Sequence, residues 1–205
     1  MKKAIVLTII ILLFPIIISQ GKTALVGYHL KVMYPYPIKP QVYSTWCAFA
    51  ALASYPGLLH FEKCDIANQY FTHLRHSNVN CCGLSNPANL NICVESFAGI
   101  QESEFVGLTR ACGLSATKLY DYIEFFGMCI QNPSLSQNKI PALMSIDLGR
   151  TGHAGLFCGA QIVYTDYNKK IDYIVLVWGN PATGIVLEEV IPYERLLSLN
   201  INVVY

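Results

Sequence analysis

The stretch Gln41-Val-Tyr-Ser-Thr-Trp-Cys47-Ala-Phe-Ala-Ala-Leu-Ala-Ser-Tyr55 carries one of the chain's eight cysteines at the front of an apolar, alanine-rich run. From Trp46 to Tyr55 the residues are good or tolerable helix formers, Ser44 and Thr45 stand where a cap is needed, and Pro56-Gly57 ends the run. Both faces are apolar or small, the pattern of a helix buried between layers. Cys47 is therefore expected in the first turn of a buried helix. Unpaired N–H groups and the positive end of the helix dipole favour a thiolate there.

Before this helix, residues 22–40 contain Tyr34-Pro-Tyr-Pro-Ile-Lys-Pro40, whose prolines favour an extended arm. After it, residues 58–76 read as a second helix and cysteine-rich loops run to about residue 100. Residues 115–127 read as a further helix, with Leu119, Tyr122, Ile123 and Phe126 at helical spacing. Past Pro141 the pattern changes. Residues 142–148, 153–165, 170–179, 184–190 and 201–205 are rich in β-branched and aromatic residues and separated by turn-prone segments. Helices in front and strands behind give an α+β class, in which two lobes can face each other across a cleft.

At the N-terminus, Lys2 and Lys3 precede an unbroken apolar run from Ala4 to Ile18, followed by Ser19-Gln-Gly21. This reads as a signal peptide over residues 1–21, with cleavage near Gly21, and places the chain as secreted or periplasmic. An uncleaved membrane anchor is the rival, since a spanning helix needs ~20 apolar residues; membrane contact is expected only through such a leader. Residues 22–205 are read as a single domain. Without Lys2 and Lys3 that domain has twelve basic residues against thirteen acidic ones. It lacks a basic stripe, so nucleic acid is not an expected partner.

The eight cysteines stand at 47, 64, 81, 82, 93, 112, 129 and 158. Exported chains keep disulfides, and Cys64, Cys81, Cys82 and Cys93 lie in polar, loop-rich sequence that gains most from them. Adjacent Cys81 and Cys82 are expected to bond elsewhere, because a bridge between neighbours strains the intervening peptide. A zinc site from the same cysteines is the alternative, though paired Cys-x-x-Cys spacing is lacking. Cys158, inside Gly155-Leu-Phe-Cys-Gly159, suits a buried free thiol. If Cys47 and Cys158 are both free, six cysteines remain for three bridges.

A thiolate nucleophile needs a base. His60, His73 and His76 fall in polar helical or loop sequence and His29 in the arm, whereas His153, in Gly152-His-Ala-Gly155, opens an apolar strand among small residues. The turn Asp166-Tyr-Asn-Lys169 joins that strand to the next as a hairpin, which puts His153 across from residues 180–182. Asn180, in Trp178-Gly-Asn-Pro-Ala182, can then accept from the imidazole and fix its tautomer, with Trp178 covering the bond. The plain alternative for Asn180-Pro181 is a strand-end turn. Gln41, six residues before Cys47, can add its amide to the Cys47 N–H as oxyanion donors.

Gln41 with Cys47 at a helix start, then Gly152-His153-Ala154, then Asn180-Pro181, resembles the papain superfamily of cysteine peptidases. Lys63-Cys-Asp-Ile-Ala-Asn68 with Cys81-Cys82 and Cys93 is similar to its bacterial branch that includes plant-pathogen effector proteases. The resemblance spans about residues 38–185. It implies a papain-like fold, a helical left lobe with the nucleophile helix packed against an antiparallel β right lobe. It further implies Cys47 as nucleophile, His153 as base, Asn180 as orienter and Gln41 in the oxyanion hole. Trp46 and Trp178 are placed at the cleft wall. Two features depart from the family pattern. Ala48 stands where an aromatic residue often follows the nucleophile, and the 22–40 arm is shorter than a long inhibitory propeptide.

The expected activity is hydrolysis of peptide or isopeptide bonds through a thioester acyl-enzyme, with no cofactor or metal and with a protein or peptide as substrate. An inhibitor or immunity partner is a further possibility of this class. Acyl transfer to an amine uses the same residues, and a disulfide-stabilised binding protein that has lost turnover is the rival from another class.

Overall fold

In the computed structural model, the described residues are 25–31, 37–116, 118–121, 124–125, 142–147, 152–164, 171–196 and 201–204. The leader over residues 1–21, Cys129, the Asp166–Lys169 turn, and Tyr122, Ile123 and Phe126 lie outside them.

The chain is α+β, with helices mostly in the first half and one antiparallel sheet mainly in the second. The strands are β1 Leu25–Lys31, β2 Leu119–Asp121, β3 Ala142–Asp147, β4 Gly152–Tyr164, β5 Ile171–Asn180, β6 Ile185–Pro192 and β7 Ile201–Val204. They lie in the order β2-β7-β3-β4-β5-β6, with β1 also on β4. β4 is the axis of the sheet. One of its edges is shared end to end, residues 152–157 pairing with β3 and residues 159–164 with β1. The second half of that edge takes residues 25–31 of the expected extended arm as a strand, since ladder hydrogen bonds satisfy backbone groups on both sides.

Among the helices are α1 Cys47–Ala53, α2 Lys63–His73, α3 Pro87–Leu90, α4 Phe105–Ala111 and α5 Tyr193–Leu196. α1 starts at Cys47, but neither Ser44 nor Thr45 caps it. Trp46 holds the cap position, and its side chain makes no capping bond to the first turn. Its N–H donates to Tyr43 O and its indole Nε1 to Cys93 O at 2.8 Å, so burial of the indole, not a hydroxyl cap, sets where the helix begins. α2 is shorter than residues 58–76 because Glu62 and Asp65 form a reciprocal capping box that starts it.

Among the described residues, the helix expected over residues 115–127 does not run through 115–121. Residues 119–121 are strand β2, paired with β7, and only Glu124 and Phe125 are helical among the described residues there. An isolated short helix is marginal, and the open edge of β7 offers the same residues a ladder.

A single apolar cluster joins the two halves. It holds Phe49 and Leu52 of α1, Ile66 and Tyr70 of α2 and Leu108 of α4, together with Leu143, Leu156, Cys158 and Val177 of the sheet. Residues 48–53 are all at most 3 % exposed, as an all-apolar helix between layers must be. Each fully buried Phe or Leu contributes about 1.5–3 kcal/mol.

Cys64 bonds Cys82 and Cys81 bonds Cys93, so the neighbouring cysteines do bond elsewhere. The same bond answers the zinc alternative: Cys64, Asp65 and Cys82 lie within metal-binding reach, but both sulfurs are spent on each other. Three bridges were too many to expect of the six remaining cysteines, because Cys112 is a free, buried thiol packed in the core. No helix among the described residues is long and apolar enough to cross a membrane.

Candidate functional site

α1 packs its Cys47 end toward the start of β4, and a cleft of about 680 Å³ opens between them. Cys47, Ser44, Thr45 and residues 98–102 line one side; Ser145, Ile146, Gly152, His153 and Ala154 line the other. His153 is the second residue of β4, opposite Ile146 of β3. Asn180 is the last residue of β5, opposite Ile185 of β6.

The β4–β5 ladder reaches Leu156–Gly179 and has a register shift between Phe157 and Gly159. His153 is therefore not paired with Asn180 through the backbone. Their side chains close the gap diagonally, His153 Nε2 lying 2.9 Å from Asn180 Oδ1. That oxygen also accepts the Ala182 N–H at 2.8 Å, while the Asn180 carbonyl accepts from Gly184 N at 2.9 Å. Asn180 thus builds the strand-end turn and bonds the imidazole at once. Because Oδ1 accepts, Nε2 is the protonated nitrogen of the neutral ring, and Nδ1 is left for Cys47.

Trp178 lies edge-on to His153, ring centres 5.7 Å apart, and is 5 % exposed. It reaches this place only because residue 155 is glycine. A Cβ there would stand 2.6 Å from Gly179 O and 2.7 Å from Trp178 Cε3.

Burial pushes the Cys47 thiol up, but the His153 hydrogen bond, the N–H groups of Ala154 and Ala48 and the charge of His153 outweigh it, so its pKa falls below the ordinary thiol value. His153 moves the other way. Its hydrogen bond to Cys47 raises it, desolvation opposes, and the Asn180 bond adds to the rise. The two shifts converge, the direction expected of a thiol and an imidazole that share a proton. Burial drives Cys112 to about 12 and Cys158 to about 11. Of the free thiols at 47, 112 and 158, Cys47 alone is lowered.

The remaining expected site residues are placed differently. Gln41 is tied to the site by its backbone, its N–H donating to Pro181 O at 2.8 Å. Its side-chain Nε2 is 3.4 Å from Ser44 O, its Oε1 is buried without a partner, and it does not line the cleft. Trp46 is not a cleft wall, because its indole turns inward to find an acceptor at Cys93. Trp178 does not line the cleft either; it covers the His153–Asn180 pair, with its own Nε1 donating to Glu189 Oε2 at 3.3 Å. His60, His73 and His76 stand away from the cleft.

Residues 98–102 and Ser145 are cleft residues that the sequence reading did not single out. The signal for the first was Gly99, whose φ of 101° marks a bend between elements.

Comparison of the chain with family models and with curated proteins finds no match.

Proposed function

We propose that the protein is a secreted, papain-like cysteine peptidase that hydrolyses peptide or isopeptide bonds. The observation that carries this is the bonded series Cys47–His153–Asn180 beside an open cleft, with the thiol lowered and the imidazole raised. Cys47 sulfur attacks the carbonyl carbon, and the oxyanion forms beside N–H groups of the first turn of α1, which the helix ladder leaves unused. His153 gives its proton to the leaving amine as the C–N bond breaks, leaving a thioester. It then takes a proton from water, whose oxygen attacks the thioester and releases acid and free thiol. Asn180 keeps the ring in the orientation that serves both steps. The helix-borne cysteine with histidine and asparagine on successive strands supports the resemblance to the papain superfamily. Two disulfides support export, since such bonds persist outside the reducing cytosol.

One observation favours a second reading. The Gln41 amide rests on Ser44 rather than lining the cleft, as suits a binding protein on the same scaffold that has lost turnover. Incubating the purified protein with a peptide library separates the two. Products formed by wild type and absent with Cys47→Ala support the peptidase. A library left intact by a folded wild type, retained instead as a stable complex, supports the scaffold.

A further inference from the structure

Residues 98–101 line the cleft, yet they belong to no helix or strand. Such a segment keeps its shape only if its ends are held. At one end Phe97 is 8 % exposed, stacked on Phe49 at 5.4 Å and tilted against Tyr70 at 5.6 Å. At the other, the Glu104 carboxylate accepts the Gln101 N–H at 3.0 Å and the Tyr70 hydroxyl at 3.0 Å, and pairs with Arg75 at 3.0 Å. Both ends meet on one side chain. Tyr70, in α2, is fully buried, its oxygen accepts Arg75 Nε at 2.6 Å, and its ring lies 5.7 Å from Phe49 in the Cys47 helix.

We infer that Tyr70 is a positioning residue for the cleft: its ring holds Phe97, its hydroxyl holds Glu104, and residues 98–101 are thereby fixed opposite His153 as a wall for the substrate. The inference rests on the reading of this cleft as a peptide-binding site. Tyr70→Phe is the clean probe, because it keeps the ring and removes only the hydroxyl. Arg75→Ala is the second, because it removes the ion pair to the same carboxylate and the Nε bond to the Tyr70 oxygen while leaving the Tyr70 side chain whole.

The test compares the full chain with both variants by amide exchange over residues 98–104, by the rate at which iodoacetamide modifies Cys47, and by steady-state kinetics on a peptide that wild type cleaves. Tyr70→Phe is expected to speed exchange at Gln101 and raise KM by roughly five- to tenfold each, with kcat and the Cys47 rate within about twofold. Arg75→Ala moves the same quantities in the same direction. Unchanged exchange and KM overturn the inference. So does a fall in kcat and Cys47 reactivity alongside KM, since that marks Tyr70 as general core support for α1. If wild type cleaves no peptide and Cys47 reacts no faster than an ordinary thiol, the catalytic reading fails by itself. Exchange at Gln101 then still decides whether Tyr70 anchors the segment, faster for and unchanged against.

Discussion

At the residue, the account turns on one proton between Cys47 and His153. The thiolate fraction grows as pH rises through the lowered Cys47 pKa, so the acid limb of kcat/KM lies below the ordinary thiol range. The imidazolium that protonates the leaving amine is lost as pH rises through the raised His153 pKa, so the alkaline limb lies above the ordinary imidazole range. A bell with those limbs is expected from a pH–rate profile. His153→Ala is expected to lower kcat/KM by roughly 10²–10⁴-fold in the same assay. Cys47 was legible from its place at a helix start, His153 from its small neighbours and Asn180 from hairpin numbering, although the last two meet through side chains and not across the ladder. Gln41 and Trp46 were not, because the direction of an amide or an indole is decided by which acceptor folding brings near, here Ser44 O and Cys93 O.

At the element, β4 and β5 carry His153 and Asn180 to the Cys47 end of α1, and two glycines let them pack there. Gly155→Ala sets a Cβ against the Gly179 carbonyl and the Trp178 ring, neither of which can yield cheaply. A loss of about 1–3 kcal/mol in denaturant unfolding is expected, together with lower activity as Trp178 leaves the His153–Asn180 bond. At Gly179 the obstruction is the tip of Ile38. Gly179→Ala is therefore expected to be milder and to be largely rescued by Ile38→Val, as thermal melts of the double variant would measure. The strands after Pro141 were legible from β-branched runs. β2 was not, because Leu119 and its neighbours satisfy a helical spacing equally well, and only the edge of β7, far along the chain, decides between the two.

At the scale of the molecule, one core serves both the helices and the sheet, while the segment from Ile38 to Gln41 straps them together. Ile38 packs against Gly179, Lys39 N donates to Ser54 Oγ, and Gln41 N donates to Pro181 O. The α+β order could be read from the change of periodicity, but this strap could not, since its partners are far away in sequence. The two disulfides span separations of 18 and 12 residues on the helical side. Reducing them is expected to cost about 2–4 kcal/mol each, seen as a lower midpoint of unfolding in reductant. The most direct test of the central claim is competitive modification of the native protein with iodoacetamide at mildly acidic pH, followed by mapping of the labelled cysteine. The account predicts fast, selective labelling of Cys47, with Cys112 and Cys158 untouched, and loss of that selectivity in His153→Ala. Slow or indiscriminate labelling of a folded wild type, or labelling of Cys47 unaffected by His153→Ala, would contradict it.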